Sequence, residues 1–136
     1  MVCLYCGGAT QVTNSRSQRR SNTTWRRRSC TVCEATITTQ EAPDLATAIV
    51  VVDSKRTNAF QPFSRDKLFI SIYESCKHRK SAQKDATALT ETILGRLYPL
   101  ITEGSITRSD IFDTTADILT RFDKAAASHY RAYHTA

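Results

Sequence analysis

Four cysteines, at positions 3, 6, 30 and 33, set the tightest limit on what this chain can become. They form two C-x2-C pairs separated by 23 residues. Two residues between cysteines let both thiolates turn toward one ion, and two such knuckles supply the four-sulfur tetrahedron that zinc accepts. The segment needs a staple of this kind. Residues 1–42 hold almost no aliphatic core, and a stretch of that length cannot bury enough apolar surface to fold alone. The 23-residue gap suits a β-excursion that leaves one knuckle and returns to the other. Gly7 and Gly8 ease the first knuckle, where a positive φ is easily met. Glu34 and Ala35 follow the second knuckle, without that help. The expectation is one structural Zn2+ on Cys3, Cys6, Cys30 and Cys33, closed to catalysis. An iron–sulfur cluster uses the same ligand set. A disulfide framework is disfavoured, since the N-terminus shows no export signal. Cys76 lies on the apolar stripe of a predicted helix and reads as a buried thiol.

Charge is concentrated in the same segment. Residues 1–41 hold six arginines, no lysine and only Glu34 and Glu41, a net +4 out of the chain's +6. Such a segment suggests a phosphate-rich partner, although a charged run can also be a solvated face. The exclusive use of arginine favours the first reading, because its planar fork matches phosphates and guanine edges. On a strand, Arg26 and Arg28 share one side of the run Trp25-Arg26-Arg27-Arg28. Arg16, Arg19 and Arg20 lie in the excursion that the metal would pin. Single-stranded RNA is recognised by stacking on several aromatics, and this segment offers only Tyr5 and Trp25. Double-stranded DNA is therefore the expected partner, with Arg16, Arg19, Arg26, Arg27 and Arg28 as the contacting residues.

The second segment, residues 47–136, is different in kind, and Pro43 marks the linker. Ala48-Ile49-Val50-Val51-Val52 reads as a strand and Lys55-Arg56-Thr57-Asn58 as a turn. Ala59 to Phe63 reads as a short return strand in which Pro62 forces an edge or an end. Ser64 is a candidate cap for a helix carrying the stripe Leu68, Phe69, Ile72, Tyr73 and Cys76. A long helix marked by Ala86, Leu89, Ile93, Leu97 and Ile101 is expected to end near Gly104, with Pro99 kinking or stopping it. Thr107 and Asp110 resemble a capping box in front of a third helix, and a final helix follows. The fold class is α+β: a small β zinc ribbon, then a mainly helical domain with a short β-hairpin. Lys55 and Arg56 on the turn and Lys67 at a helix start form a weak polyphosphate cradle. No P-loop or Rossmann glycine pattern is present.

Taken together, these blocks resemble the NrdR family of bacterial repressors of ribonucleotide reductase genes. The matching stretches are CLYC at 3–6, NSR at 14–16, WRRRSCTVC at 25–33 and ITTQE at 37–41. Further matches are KR at 55–56, PF at 62–63, RDKL at 65–68, SCKHR at 75–79 and RFDKAA at 121–126. The resemblance implies a DNA-binding zinc ribbon and an ATP-cone domain that binds ATP or dATP, with nucleotide state altering oligomerisation and operator binding. It implies Lys55, Arg56 and Lys67 as nucleotide contacts and Arg16, Arg26, Arg27 and Arg28 as DNA contacts. The chain departs from the family pattern at Leu4, Asn14, Trp25, Asn58 and His129.

The reading is of a cytoplasmic, nucleotide-responsive repressor that forms a homo-oligomer. No enzyme activity is expected, because no catalytic set can be assembled from these residues. No apolar run approaches the roughly 20 residues of a membrane span. The alternatives are a zinc-ribbon adaptor, or an ATP-cone protein acting on an enzyme without operator binding.

Overall fold

The computed structural model describes residues 1–53, 55–56 and 59–135. Contacts divide the chain into two compact units, Met1–Pro43 and Asp44–Ala136. The first is an antiparallel sheet in the order β1-β2-β3, with β1 at Thr10–Gln18, β2 at Thr23–Cys30 and β3 at Thr36–Glu41. Strands β1 and β2 run from the pair Thr10 with Cys30 to the pair Gln18 with Thr23, with a bulge between Val12 and Asn14. Strand β3 pairs the other side of β2, from Ser29 with Thr36 to Thr24 with Glu41. The sheet has little core of its own: Cys3, Cys30 and Ile37 are its buried apolar residues.

The second unit opens with a short helix, α1 at Leu45–Ala48, because the Asp44 carboxylate accepts the Ala46 amide and starts a turn. The expected strand from Ala48 therefore begins later, as β4 at Val50–Val52. Strand β5 at Phe60–Pro62 returns antiparallel to β4 and forms an edge of its sheet, where a missing proline N–H does no harm. Thr57 and Asn58 of the expected turn lie outside the described residues.

Helix α2 at Arg65–Ser75 is capped by Ser64, which accepts the Lys67 amide. Helix α3 at Ala82–Leu97 passes into a 3-10 turn at Tyr98–Leu100 and so stops earlier than Gly104. Pro99 has no N–H to continue the ladder. Glu103 and Gly104 both take positive φ, 50° and 72°, in a tight turn closed by reciprocal Thr102–Ser105 backbone bonds of 2.9 Å. That turn feeds a strand absent from the sequence reading, β6 at Ser105–Thr107, which pairs parallel to β4. Glycine is favoured at position 104, since φ is positive there and a Cβ would stand a tight 3.3 Å from the Ala48 carbonyl oxygen.

Helix α4 at Arg108–Phe122 starts from a complete capping box between Thr107 and Asp110. Asp123 closes it and caps α5 at Lys124–Tyr133, accepting the Ala125 and Ala126 amides. The helices bury one core in which Ile72, Ile93 and Leu119 are fully enclosed. Cys76 belongs to this core, and burial pushes its thiol up. The α+β class expected from the sequence is what the chain adopts. Among the described residues no helix is long and apolar enough to cross a membrane.

Candidate functional site

The four cysteines of the first unit converge. Their sulfurs all lie within 4.8 Å of one another. Cys3 and Cys33 sulfurs are 3.7 Å apart, and those of Cys6 and Cys30 are 3.5 Å apart. A tetrahedron with zinc–sulfur bonds of about 2.3 Å has edges of about 3.8 Å, so the spacing fits the ion. It is far too long for disulfides, whose S–S bond is about 2.05 Å. Backbone amides point at the sulfurs as thiolates require: Tyr5 to Cys3, Gly8 to Cys6 and Val32 to Cys30, each at 3.4 Å.

Two of these thiols are pushed in opposite directions by their surroundings. Amides of Cys33 and Val32 draw the Cys30 thiol down to about 6. The Ala35 amide works to lower Cys33, but contact with Cys6, burial and contacts with Cys30 and Cys3 outweigh it and push Cys33 up to about 12. Four thiols around one point cannot all ionise unless a positive ion sits among them. The residues fit one structural zinc, which supplies a cross-link between the two knuckles.

The two knuckles solve one backbone problem with different residues. Gly7 after the first has φ 72°, and Glu34 after the second has φ 60°. The left-handed region costs a side-chain-bearing residue about 1–2 kcal/mol. Glu34→Gly is therefore expected to stabilise the zinc-loaded ribbon by about 0.5–1 kcal/mol after glycine's extra entropy is counted. Thermal melting checks this, and a lower midpoint would show that the Glu34 side chain has a stabilising role.

Strand register sorts the arginines onto two faces. Arg26 stands opposite Ser15 and Thr39, and Arg28 opposite Val12 and Ile37, on one side of the sheet. There Arg26 pairs with Glu41 at 2.9 Å, and Arg28 Nε donates to Thr39 at 3.3 Å. On the other side Trp25 stands opposite Arg16 and Gln40, and Arg27 opposite Asn14 and Thr38. Arg16 and Arg27 are exposed. That face carries no acidic strand residue, and neither arginine has an ion-pair partner among the described residues. Arg19 is exposed on the β1–β2 turn.

In the second unit a cavity of about 410 Å³ opens where the N-termini of α2 and α4 meet the end of β4. Arg56 and Lys67 line it, while Lys55 is exposed in the turn beside Arg56. Three polar residues of its wall were missed in the sequence: Arg108, Asp53 and His134. Arg108 is the first residue of α4, and the parallel pairing of Val52 with Thr107 brings it beside Asp53. The capping box announced the start of α4, but no local signal tells which strand that start adjoins. Phe112, Tyr130 and His134 form an aromatic wall, with ring centroids 5.6 Å apart for the first pair and 4.5 Å for the second. Burial, then the charges of Arg108 and His129, lowers the His134 pKa and so favours the neutral ring. The Lys55 amide and then the Arg108 guanidinium hold Asp53 below its usual carboxylate value. The cavity thus offers three cations against one carboxylate. A neighbouring hollow of about 500 Å³ between α2 and α5 shares Lys67, Ser71 and His134 with it.

Four cysteine sulfurs tying the end of a three-stranded antiparallel sheet define a zinc-ribbon protein. Residues 1–41 match the family model described as "Transcriptional repressor NrdR-like, N-terminal domain". The chain is 35% identical over 79 residues to the transcriptional repressor NrdR of Symbiobacterium thermophilum, covering 58% of this chain and 51% of that one. It is 36% identical over 90 residues to NrdR of Thermobifida fusca, covering 65% and 54%. These two matches span about half the length of the relatives concerned. Against NrdR of Streptococcus gordonii the match is 31% identical over 138 aligned positions, covering 98% of this chain and 85% of the relative. The chain belongs to the NrdR family of transcriptional repressors.

Proposed function

We propose that this chain is a nucleotide-responsive repressor that binds operator DNA through its ribbon and ATP or dATP in the cavity of its helical unit. It does so as a cytoplasmic, non-enzymatic protein. The regulated genes, on the resemblance of the sequence blocks, are those of ribonucleotide reductase. The observation that carries the reading is the cavity. Three cations, Arg56, Lys67 and Arg108, and two helix N-termini converge on a hollow with an aromatic wall. Cations and amide dipoles add at such a place, which suits a triphosphate. The rings of Phe112 and Tyr130 suit a base.

On this reading the domains are residues 1–42, a DNA-binding zinc ribbon, and 47–136, an ATP cone. Arg16, Arg27 and Arg19 meet duplex DNA, while Arg26 and Arg28 strengthen the positive field from the opposite face. Lys55 extends the cationic rim beyond Arg56. Nucleotide that favours one homo-oligomer changes how many ribbons reach an operator together.

Calorimetry on the full zinc-loaded chain tests the nucleotide half. ATP and dATP are expected to bind, and Arg56→Ala with Lys67→Ala to weaken binding by about 10- to 100-fold, as loss of two charged hydrogen-bond donors implies. Absence of heat with both nucleotides on folded wild type removes this half. A zinc-ribbon adaptor without nucleotide control would then be the better reading.

A further inference from the structure

The cavity contains one feature that works against an anionic ligand. Asp53 lies in its wall with a largely buried carboxylate, the single acid among the described lining residues. Its Oδ2 receives Arg108 Nη1 at 3.3 Å, and its Oδ1 accepts the Lys55 amide at 3.0 Å. The Asp53 carbonyl also accepts the Arg56 amide at 3.2 Å, and its amide donates to the Ala59 carbonyl at 3.3 Å. One residue therefore shapes the turn that presents Arg56 and also holds the cation at the start of α4.

We infer that Asp53 is a built-in competitor for the phosphate site, a carboxylate latch on Arg108 that a polyphosphate must displace in order to bind. The proposal rests on the nucleotide reading and specifies how that site is regulated. A carboxylate and a phosphate oxygen ask the same thing of a guanidinium, and the Asp53 charge also repels a phosphate drawn to Arg108, so the two compete for it. Its side chain is about half exposed, at 48%, whereas that of Asp53 is 15% exposed, so the arginine is the partner free to swing toward an incoming anion. Exchange leaves the Asp53–Lys55 turn bond in place and breaks the tie between the β4–β5 turn and α4. Ligand binding in this way releases a side-chain tie between residues 55 positions apart in sequence, while the pairing of β4 with β6 stays in place. Among the described residues Arg108 is the lining cation in an ion pair, which makes it the one whose engagement reports the ligand.

Asp53→Asn separates the latch from the turn, because the amide oxygen still accepts the Lys55 N–H while the charge is lost. Titrations of full-length zinc-loaded protein use two probes, ATP with Mg2+ and inorganic tripolyphosphate. The variant is expected to bind both about three- to tenfold more tightly, the size of effect a partly exposed ion pair supports. In an Arg108→Gln background the same Asp53→Asn change is expected to add much less. An equal gain in that background would reduce Asp53 to a diffuse charge and overturn the latch. Weaker ATP binding by the variant, confined to samples with Mg2+, would overturn it as well by making Asp53 a cation ligand. Failure of the latch leaves ATP binding by wild type intact. Failure of the nucleotide reading instead shows as tripolyphosphate binding without ATP binding, and in that case tighter tripolyphosphate binding by the variant still supports the latch. If neither probe binds either variant, with circular dichroism showing native helix, both fall.

Discussion

Cys30→Ser is expected to release the metal and unfold the first unit while the helical unit keeps its own cooperative melt. The reason is the distribution of buried surface. Apart from two of the ligands themselves, Ile37 is the only buried apolar side chain of residues 1–43. Its three strands cannot offset the conformational entropy of ordering that length of chain. Zinc in small four-ligand sites contributes about 10–16 kcal/mol near neutral pH, and that energy is folding energy. Cys30 is the most informative ligand to change, since it is buried and its sulfur accepts the Val32 and Cys33 amides. Metal content by mass spectrometry and amide dispersion by NMR read the two consequences separately. One full equivalent of zinc retained by the variant would contradict the four-cysteine assignment. Loss of the helical melt along with the metal would show that the second unit depends on the first.

The other large effect concerns which face of the ribbon meets DNA. Changing Arg16 and Arg27 together to alanine should lower duplex affinity by about 30-fold or more, at 1–3 kcal/mol for each arginine that reads a base edge. Changing Arg26 and Arg28 together removes the same formal charge from the opposite face. Those two side chains are already engaged with Glu41 and Thr39, so a smaller loss is expected there. Fluorescence anisotropy at several salt concentrations distinguishes the cases. Each lost phosphate contact reduces the salt slope by about one, whereas a lost base contact relaxes sequence preference. A larger loss from the Arg26 and Arg28 pair would turn the ribbon over on the duplex. Equal losses would mean that only net charge matters.

Much of the candidate site could be read from local spacing. Two C-x2-C pairs announce their own convergence, because the ion imposes the geometry regardless of how the strands between them run. The caps at Ser64 and Thr107 were legible for a similar reason: a hydroxyl bonding an amide two or three residues ahead is a local event. Less was legible where local patterns competed. The run from Ala48 looked like strand throughout, but the Asp44 cap holds its first residue in a helical turn. The apolar spacing of α3 continued past its end at Leu97, since Ile101 packs against the same core from outside the helix.

What the sequence determined by itself is the metal centre, the helical stripes and the strand alternation that divides the arginines. Each of these depends on periods of a few residues, which every stretch of chain carries within itself. Only the tertiary structure decided that β6 exists and runs parallel to β4. Strand β6 has three residues, too few for a pattern, and is stabilised by partners more than 50 positions away. That pairing sets Val52 beside Thr107 and hence Asp53 beside Arg108, so the most telling contact of the cavity arises from a register that no local interaction specifies.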